Sequence, residues 1–144
     1  MSKIIDYETD FYAWASHHAQ LLREGKFSEL DVEHLAEELE SMGRNNKREL
    51  VSRLKILIGH LLKWQYQPGG RSTSWRSSIV EQRLQLNDLI ADNPSLRPQL
   101  LEAITKAYPN AVELASDETG FSETVFPEIC PYSPEHILKK GFFP

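Results

Sequence analysis

Three sets of residues in this chain carry side chains that could do chemistry. The first combines imidazoles with carboxylates. In a helix, His34, Glu37 and Glu38 stand at steps of three and four, so their nitrogens and oxygens could ligate one metal ion. His60 lies on the following helical stretch, and His17 and His18 on an earlier one. A di-metal carboxylate bundle needs an inward Glu-x-x-His from each of two helices plus further glutamates. Here the order is His-x-x-Glu-Glu, it occurs once, and Leu35 and Leu39 claim the inward face. A metal site of His34, Glu37, Glu38 and His60 is therefore the weakly supported reading, and no cofactor is expected. His60 falls in an apolar run, where a neutral imidazole needs a specific partner. A core histidine hydrogen-bonded to a neighbouring helix is the plainer account of it.

The second set is aromatic and basic. Lys63, Trp64, Tyr66, Arg71, Trp75, Arg76 and Arg83 gather around a turn between two helices. Arginine forks bind phosphate or carboxylate bidentately, and aromatic rings offer stacking for bases. A helix starting near Ser74 would point free N–H groups at the same region. Lys63, Trp64, Arg71, Trp75, Arg76 and Arg83 are thus a candidate nucleic-acid or phosphate site. Against this stand an isoelectric point of about 5.5 and the absence of a sequence-reading helix motif. The alternative makes Trp64 and Trp75 core anchors and pairs Arg71 and Arg76 with Glu37, Glu38 or Glu40. The third set is weakest: Cys130 beside Pro131, with His136 six residues on, is no established dyad. No GxSxG, phosphate-loop or GxGxxG pattern occurs.

The elements that must position these groups are helices, for three- and four-residue periodicity recurs and strand alternation is almost absent. The first is expected from about Thr9, as N-cap, to Glu24, with Gly25 as a left-handed stop. Phe11, Trp14, Ala15, His18, Leu21 and Leu22 make its apolar face. A second begins after Asp31, with Leu30 and Leu35 placed as a staple and Leu35, Leu39 and Met42 as its stripe. Gly43 suggests two arms meeting there, or one longer helix carrying a cost of about 1 kcal/mol. The second arm presents Leu50, Leu54, Leu57, Ile58, Leu61 and Leu62. Pro68, Gly69 and Gly70 make a turn. Ser72 or Ser74 then caps a helix reaching about Asp92, with Trp75, Ile79, Leu86, Leu89 and Ile90 inward. Pro94 opens the next, to about Tyr108, and Pro109 restarts a short one ending before Gly120. Prolines punctuate the tail, where Ser133 caps a short helix from Pro134 to Lys140. Phe121, Val125, Phe126, Ile129, Phe142 and Phe143 suggest a strap laid over the bundle. The expectation is an all-α bundle of four to five main helices, residues 1–144 forming one domain with a core over 1–120 and a strap over 121–144.

Length and composition agree with that. A chain of 144 residues, 40% hydrophobic and 26% charged, suits one soluble globular domain. Ile4 and Ile5 are followed at once by acidic residues, so no signal peptide reads there. The most apolar run, Leu54–Leu62, is interrupted by Lys55 and His60 and is far short of the ~20 residues that span a bilayer. A single cysteine suits a reducing, cytoplasmic compartment. The net charge of −5 conceals an order: residues 1–43 carry −7, residues 44–83 carry +7, and residues 84–144 carry −5. Either the acidic segments neutralise the basic one within the fold, or it faces an external anion.

The run EELESMGRNNKRELVSRLKILIGHLLKWQYQPGGRSTSWRSSIVEQR resembles the core signature of domain-of-unknown-function family 29, a set of small bacterial proteins abundant in cyanobacteria. The opening YETDFYAWASHHAQLLREGKFSELDVEHLAEELE, the later PNAVELASDETG and the closing FPEICPYSPEHILKKGFFP are similar to that family too. The resemblance implies an α-helical single domain and transfers no catalytic residue, since the family has no agreed activity. The expected role is a non-enzymatic protein-interaction or adaptor module, its partner another protein or a second copy through the broad stripe Leu50–Leu62. A nucleic-acid or phosphate binder using the Lys63–Arg83 corner is the alternative, and a metal-dependent bundle enzyme comes third.

Overall fold

Asp10 starts the first helix, because its carboxylate accepts from the Ala13 N–H at 3.1 Å, one of the donors that a helix start leaves unpaired. In the computed structural model, which describes residues 5–144, α1 therefore runs Phe11–Arg23 rather than from Thr9. Ile4 lies outside the described residues. Gly25, at φ 72°, makes the expected left-handed stop.

α2 runs unbroken over Val32–Tyr66, so the two arms expected at Gly43 are one helix. Asp31 caps it, its Oδ1 accepting from His34 N at 3.3 Å and its carbonyl from Leu35 N at 3.0 Å. A cost of about 1 kcal/mol at Gly43 is too small to break a helix whose C-terminal half is fixed by packing. Ser72 rather than Ser74 caps α3, Thr73–Asp92, accepting from Trp75 N at 3.1 Å. Pro94–Gln99 forms 3-10 turns, and α4 follows over Leu100–Thr119. α4 passes straight through Pro109, where a break was expected. Proline costs a helix interior about 3 kcal/mol. The burial of Ala103, Ile104, Ala107 and Tyr108 before it, and of Ala111, Val112 and Ala115 after it, outweighs that loss. Gly120, at φ 76°, ends α4. α5, Pro134–Leu138, is capped by Ser133 as expected but stops before Lys140.

The fold class is all-α, a helical bundle, with no strand among the described residues. Contacts divide the chain into a unit ending at Asn45 and a unit from Asn46 to Pro144. The division expected at 120/121 thus lies inside the second unit, whose core includes the tail. Leu50, Leu54, Leu57, Ile58, Leu61 and Leu62 of α2 are fully buried there with Ile79, Leu86 and Ile90 of α3, the inner face of α4, and Phe126, Tyr132 and Ile137 of the tail. Of the expected strap residues, Phe121, Phe142 and Phe143 pack against this core, whereas Val125 and Ile129 are exposed. The stripe expected to mediate self-association, Leu50–Leu62, is therefore covered within the chain.

The first unit has a smaller, aromatic core. Trp14, His18 and Leu21 are buried, and the Trp14 and His18 rings stack at 4.4 Å. His18 Nε2 accepts from Asp31 N at 2.9 Å, so its Nδ1, 3.0 Å from the Trp14 carbonyl, carries the hydrogen. Phe11 and Leu22 at the margins of the α1 face stay about half exposed. The expected inward stripe of α2 is not buried: Val32 is 65%, Leu39 68% and Met42 61% exposed, and only Leu35 is partly covered.

Candidate functional site

The C-terminal turn of α2, the Pro68–Gly70 turn and the start of α3 bring most of the aromatic–basic set together, within the second unit. α2 delivers Lys63 and Trp64 at its end. Lys63 is 3% exposed, and a buried ammonium needs compensation. It has two sources: the Glu118 carboxylate from the last turn of α4, and the Trp75 ring, 4.6 Å from Nζ. The Trp75 ring in turn reaches back to the turn. A Cβ added to Gly70 would stand 2.6 Å from its Cη2 and 2.9 Å from Gln67 Oε1, so glycine is what lets the ring close over the turn.

The arginines are held by main-chain carbonyls and rings rather than by carboxylates. Arg71 Nε donates to the Trp64 carbonyl at 2.9 Å and its Nη2 to the Pro144 carbonyl at 3.3 Å, while the guanidinium lies 5.0 Å from the Trp64 ring centre. Arg83, 4% exposed, donates from Nε to the Ile137 carbonyl and from Nη2 to the Phe142 carbonyl, both at 2.9 Å. Burial pushes its pKa below the usual guanidinium value. Arg76 is exposed, with its guanidinium 4.4 Å from the Phe143 ring, and Phe143 also packs on Trp64 at 5.0 Å. Within the second unit neither Arg71 nor Arg76 pairs with a described carboxylate, and Glu37, Glu38 and Glu40, the partners the alternative reading offered them, belong to the first unit. Glu40 pairs instead with Arg44 at 3.9 Å, and Glu38 accepts from the Tyr7 hydroxyl.

Arranged this way, the corner can do one thing well: it ties the closing tail to α2 and α3. Crevices of about 490, 460 and 390 Å³ open elsewhere in the second unit, and none of the three takes in Lys63, Arg71, Arg76 or Arg83. Glu118, Phe143 and the tail carbonyls complete the corner and were missed in the sequence. The GFFP ending hinted at Phe143, but a carbonyl acceptor has no residue identity to find.

The histidine–carboxylate set does not assemble. His34 belongs to the first unit and His60 to the second, 26 residues further along α2. Among the described residues no group of three or more His, Cys, Asp or Glu is placed to hold a metal ion. His34 Nδ1 meets Asp31 Oδ2 at 2.5 Å and its ring stacks on Tyr7 at 4.1 Å. The hydrogen bond to Asp31 raises the His34 pKa and lowers that of Asp31. The bond to Glu38 pushes the Tyr7 phenol up to about 12. His60 donates from Nδ1 to the Ile56 carbonyl of its own helix at 2.8 Å, not to a neighbouring helix, and burial lowers its pKa. Cys130 is partly buried, its thiol pushed up by burial and set 3.6 Å from the Tyr132 carbonyl, which leaves it a poor nucleophile.

A sequence profile described as "Domain of unknown function DUF29" matches residues 7–143. No curated protein and no solved structure matches the chain.

Proposed function

Because the chain belongs to the DUF29 family, whose description names no activity, we propose its role from the surfaces it presents: a non-enzymatic protein-interaction module. One observation carries the reading. The first unit leaves Val32, Leu39 and Met42 of α2 each more than three-fifths exposed, and Tyr12 and Phe27 of the same unit are 84% and 64% exposed. Large apolar side chains grouped on one small unit are a mark of docking surfaces, since water penalises their exposure. The acidic character of residues 1–43 supplies a rim of charge that would select among partners. A single cysteine and the absence, among the described residues, of any helix long and apolar enough to cross a membrane are in keeping with a cytoplasmic site of action.

The test is photo-cross-linking in cells from a probe placed at Met42, with Glu113 of α4 as control position. A discrete cross-linked product from position 42, weakened by Leu39→Glu and missing from position 113, is expected. Failure to cross-link from any of positions 32, 39 and 42 would remove the reading.

One observation favours a second reading, an anion-binding corner: Arg76 is exposed and has no carboxylate partner among the described residues. Electrostatic binding to nucleic acid must weaken steeply with salt. Mixed DNA and RNA pools that are not retained even at low ionic strength would dismiss it.

A further inference from the structure

His34 ties three pieces of the first unit together, and each tie favours its charged ring. Nδ1 meets the Asp31 carboxylate at 2.5 Å, and Nε2 lies 3.9 Å from the Glu8 carboxylate. One ring face stacks on Tyr7 at 4.1 Å with the planes 19° apart, so an imidazolium would sit over a phenol face. α2 itself adds Glu37, and Glu38 lies behind Tyr7 as the acceptor of its hydroxyl. α1 supplies the Trp14 ring, edge-on at 6.4 Å. Behind Asp31 stands His18, whose two nitrogens are engaged with the Trp14 carbonyl and Asp31 N. The charged groups that act on the His34 ring are carboxylates alone. The N-terminal end of α2 opposes a cation, but the Asp31 carboxylate caps that end and offsets it.

Tyr7 and Glu8 belong to the short segment that precedes α1, and they attach it to α2. A local turn shapes the segment: the Asp6 carbonyl accepts from Asp10 N at 2.9 Å, and the Asp6 carboxylate from Glu8 N at 2.8 Å. Among the described residues it has two polar ties to α2, Glu8 to His34 and the Tyr7 hydroxyl to Glu38. One of the two is an ion pair only while His34 is protonated. We propose that His34 is a latch, pinning Tyr7 and Glu8 against α2 when protonated and freeing them when neutral. The Asp31 hydrogen bond is the main cause that raises the folded pKa above 6.5; burial opposes it, and the charges of Asp31, Glu37 and Glu8 add to it. Attachment is therefore complete below pH 6.5 and is lost as pH rises through the folded value. Above that value a neutral ring keeps its Nδ1 hydrogen on Asp31 and turns a lone pair at Nε2 toward Glu8, which repels the carboxylate. The Tyr7 phenol, pushed up to about 12 by its bond to Glu38, stays protonated throughout, so the change of charge is that of His34. Release of Tyr7 uncovers one side of Trp14, which is 3% exposed when closed and meets the Tyr7 ring edge-on at 4.9 Å.

This latch is independent of the interaction reading above, and nuclear magnetic resonance of the full chain tests it. As pH rises from 5.5 to 9, the Tyr7 ring and Glu8 amide signals should move with the midpoint of the His34 ring, and that midpoint should lie above 6.5. Over the same range the nuclear Overhauser effects between the Tyr7 and Trp14 rings should weaken at least twofold. His34→Gln should abolish the transition while keeping the helical circular dichroism, and Glu8→Gln should lower the midpoint. His17→Gln, at an exposed position of α1, should change neither. A Tyr7 ring that keeps its contact with Trp14 while His34 titrates overturns the proposal, as does a release that persists in His34→Gln. If His34→Gln fails to fold, the Glu8→Gln midpoint decides: lowered, it supports the latch, and unchanged, it overturns it.

Discussion

At the scale of single residues, the corner turns on Lys63. Its ammonium is enclosed, while the partner carboxylate of Glu118 remains 40% exposed, so the two ends of the pair respond differently to change. Glu118→Gln leaves the enclosed charge with a neutral acceptor and the Trp75 ring, and should cost about 1–3 kcal/mol once the exposure of Glu118 is allowed for. Lys63→Met removes the need for compensation and lets Glu118 hydrate, and should fall within about 1 kcal/mol of wild type. Urea unfolding of the two variants decides it; equal losses would mean that the pair matters only as attraction. His60 gives a pH signature. Its folded pKa lies below the ordinary 6.5 because burial disfavours the charged ring, with Lys63 adding to the effect and Glu118 and the Ile56 carbonyl opposing it. Just below pH 6.5 the unfolded chain therefore binds more protons at this position, and stability falls as pH drops through that window. His60→Gln should flatten the acid fall, read as melting temperature at pH 7 and pH 5.5. His34, with its pKa raised by Asp31, works the other way: its contribution is present below pH 6.5 and lost as pH rises through its folded value. The sequence disclosed which cations would gather at the corner but not what would hold them. Arg71 and Arg83 bond to carbonyls of Trp64, Pro144, Ile137 and Phe142, groups that every residue carries.

At the scale of elements, the existence and phase of the helices were legible and their continuity was not. Asp31, Ser72 and Ser133 are caps that act through their side-chain oxygens, and each was readable because only a few residue types can do this. Gly43 and Pro109 looked like interruptions because local propensity is all that a sequence displays at one position. Burial further along the helix overrides both, and burial depends on partners distant in the chain. The same limit explains the α2 stripe. The period grouped Leu35, Leu39 and Met42 as an inward stripe, yet a period identifies an apolar face without saying what covers it, and Leu39 and Met42 are exposed. Pro109 offers a direct measure of the override. It is exposed and lies in regular helix, so alanine would restore a donor to the ladder and relieve the ring's clash with the preceding turn. Against this stands the extra entropy that alanine gives the unfolded chain, up to about 1 kcal/mol. Pro109→Ala should therefore stabilise by roughly 2 kcal/mol, seen as a higher urea midpoint with an unchanged slope. A loss of stability would mean that α4 is bent at this point to fit its neighbours.

At the scale of the whole molecule, the acidic–basic–acidic order resolves into traceable partnerships. The basic middle segment finds Glu40 in the first segment through Arg44, Glu102 and Glu118 in the last through Lys47 and Lys63, and its own Glu49 through Arg53. Four of that segment's nine cations, Arg44, Lys47, Arg53 and Lys63, thus have carboxylate partners within the chain, and the uncovered apolar surface of α2 remains without a use in the fold. Stability and interaction should then separate along α2. Leu54 lies in the second unit's core with no exposed area, so Leu54→Ala leaves a cavity and should cost about 2–5 kcal/mol. Leu39, eleven residues before the first of that core's α2 leucines and two-thirds exposed, makes few contacts to lose, so Leu39→Ala should change the stability of the single chain by no more than about 0.5 kcal/mol. Thermal unfolding should distinguish the two sharply. A Leu39→Ala chain as impaired as Leu54→Ala would mean that this leucine belongs to the fold, and that α2 has no free face to offer.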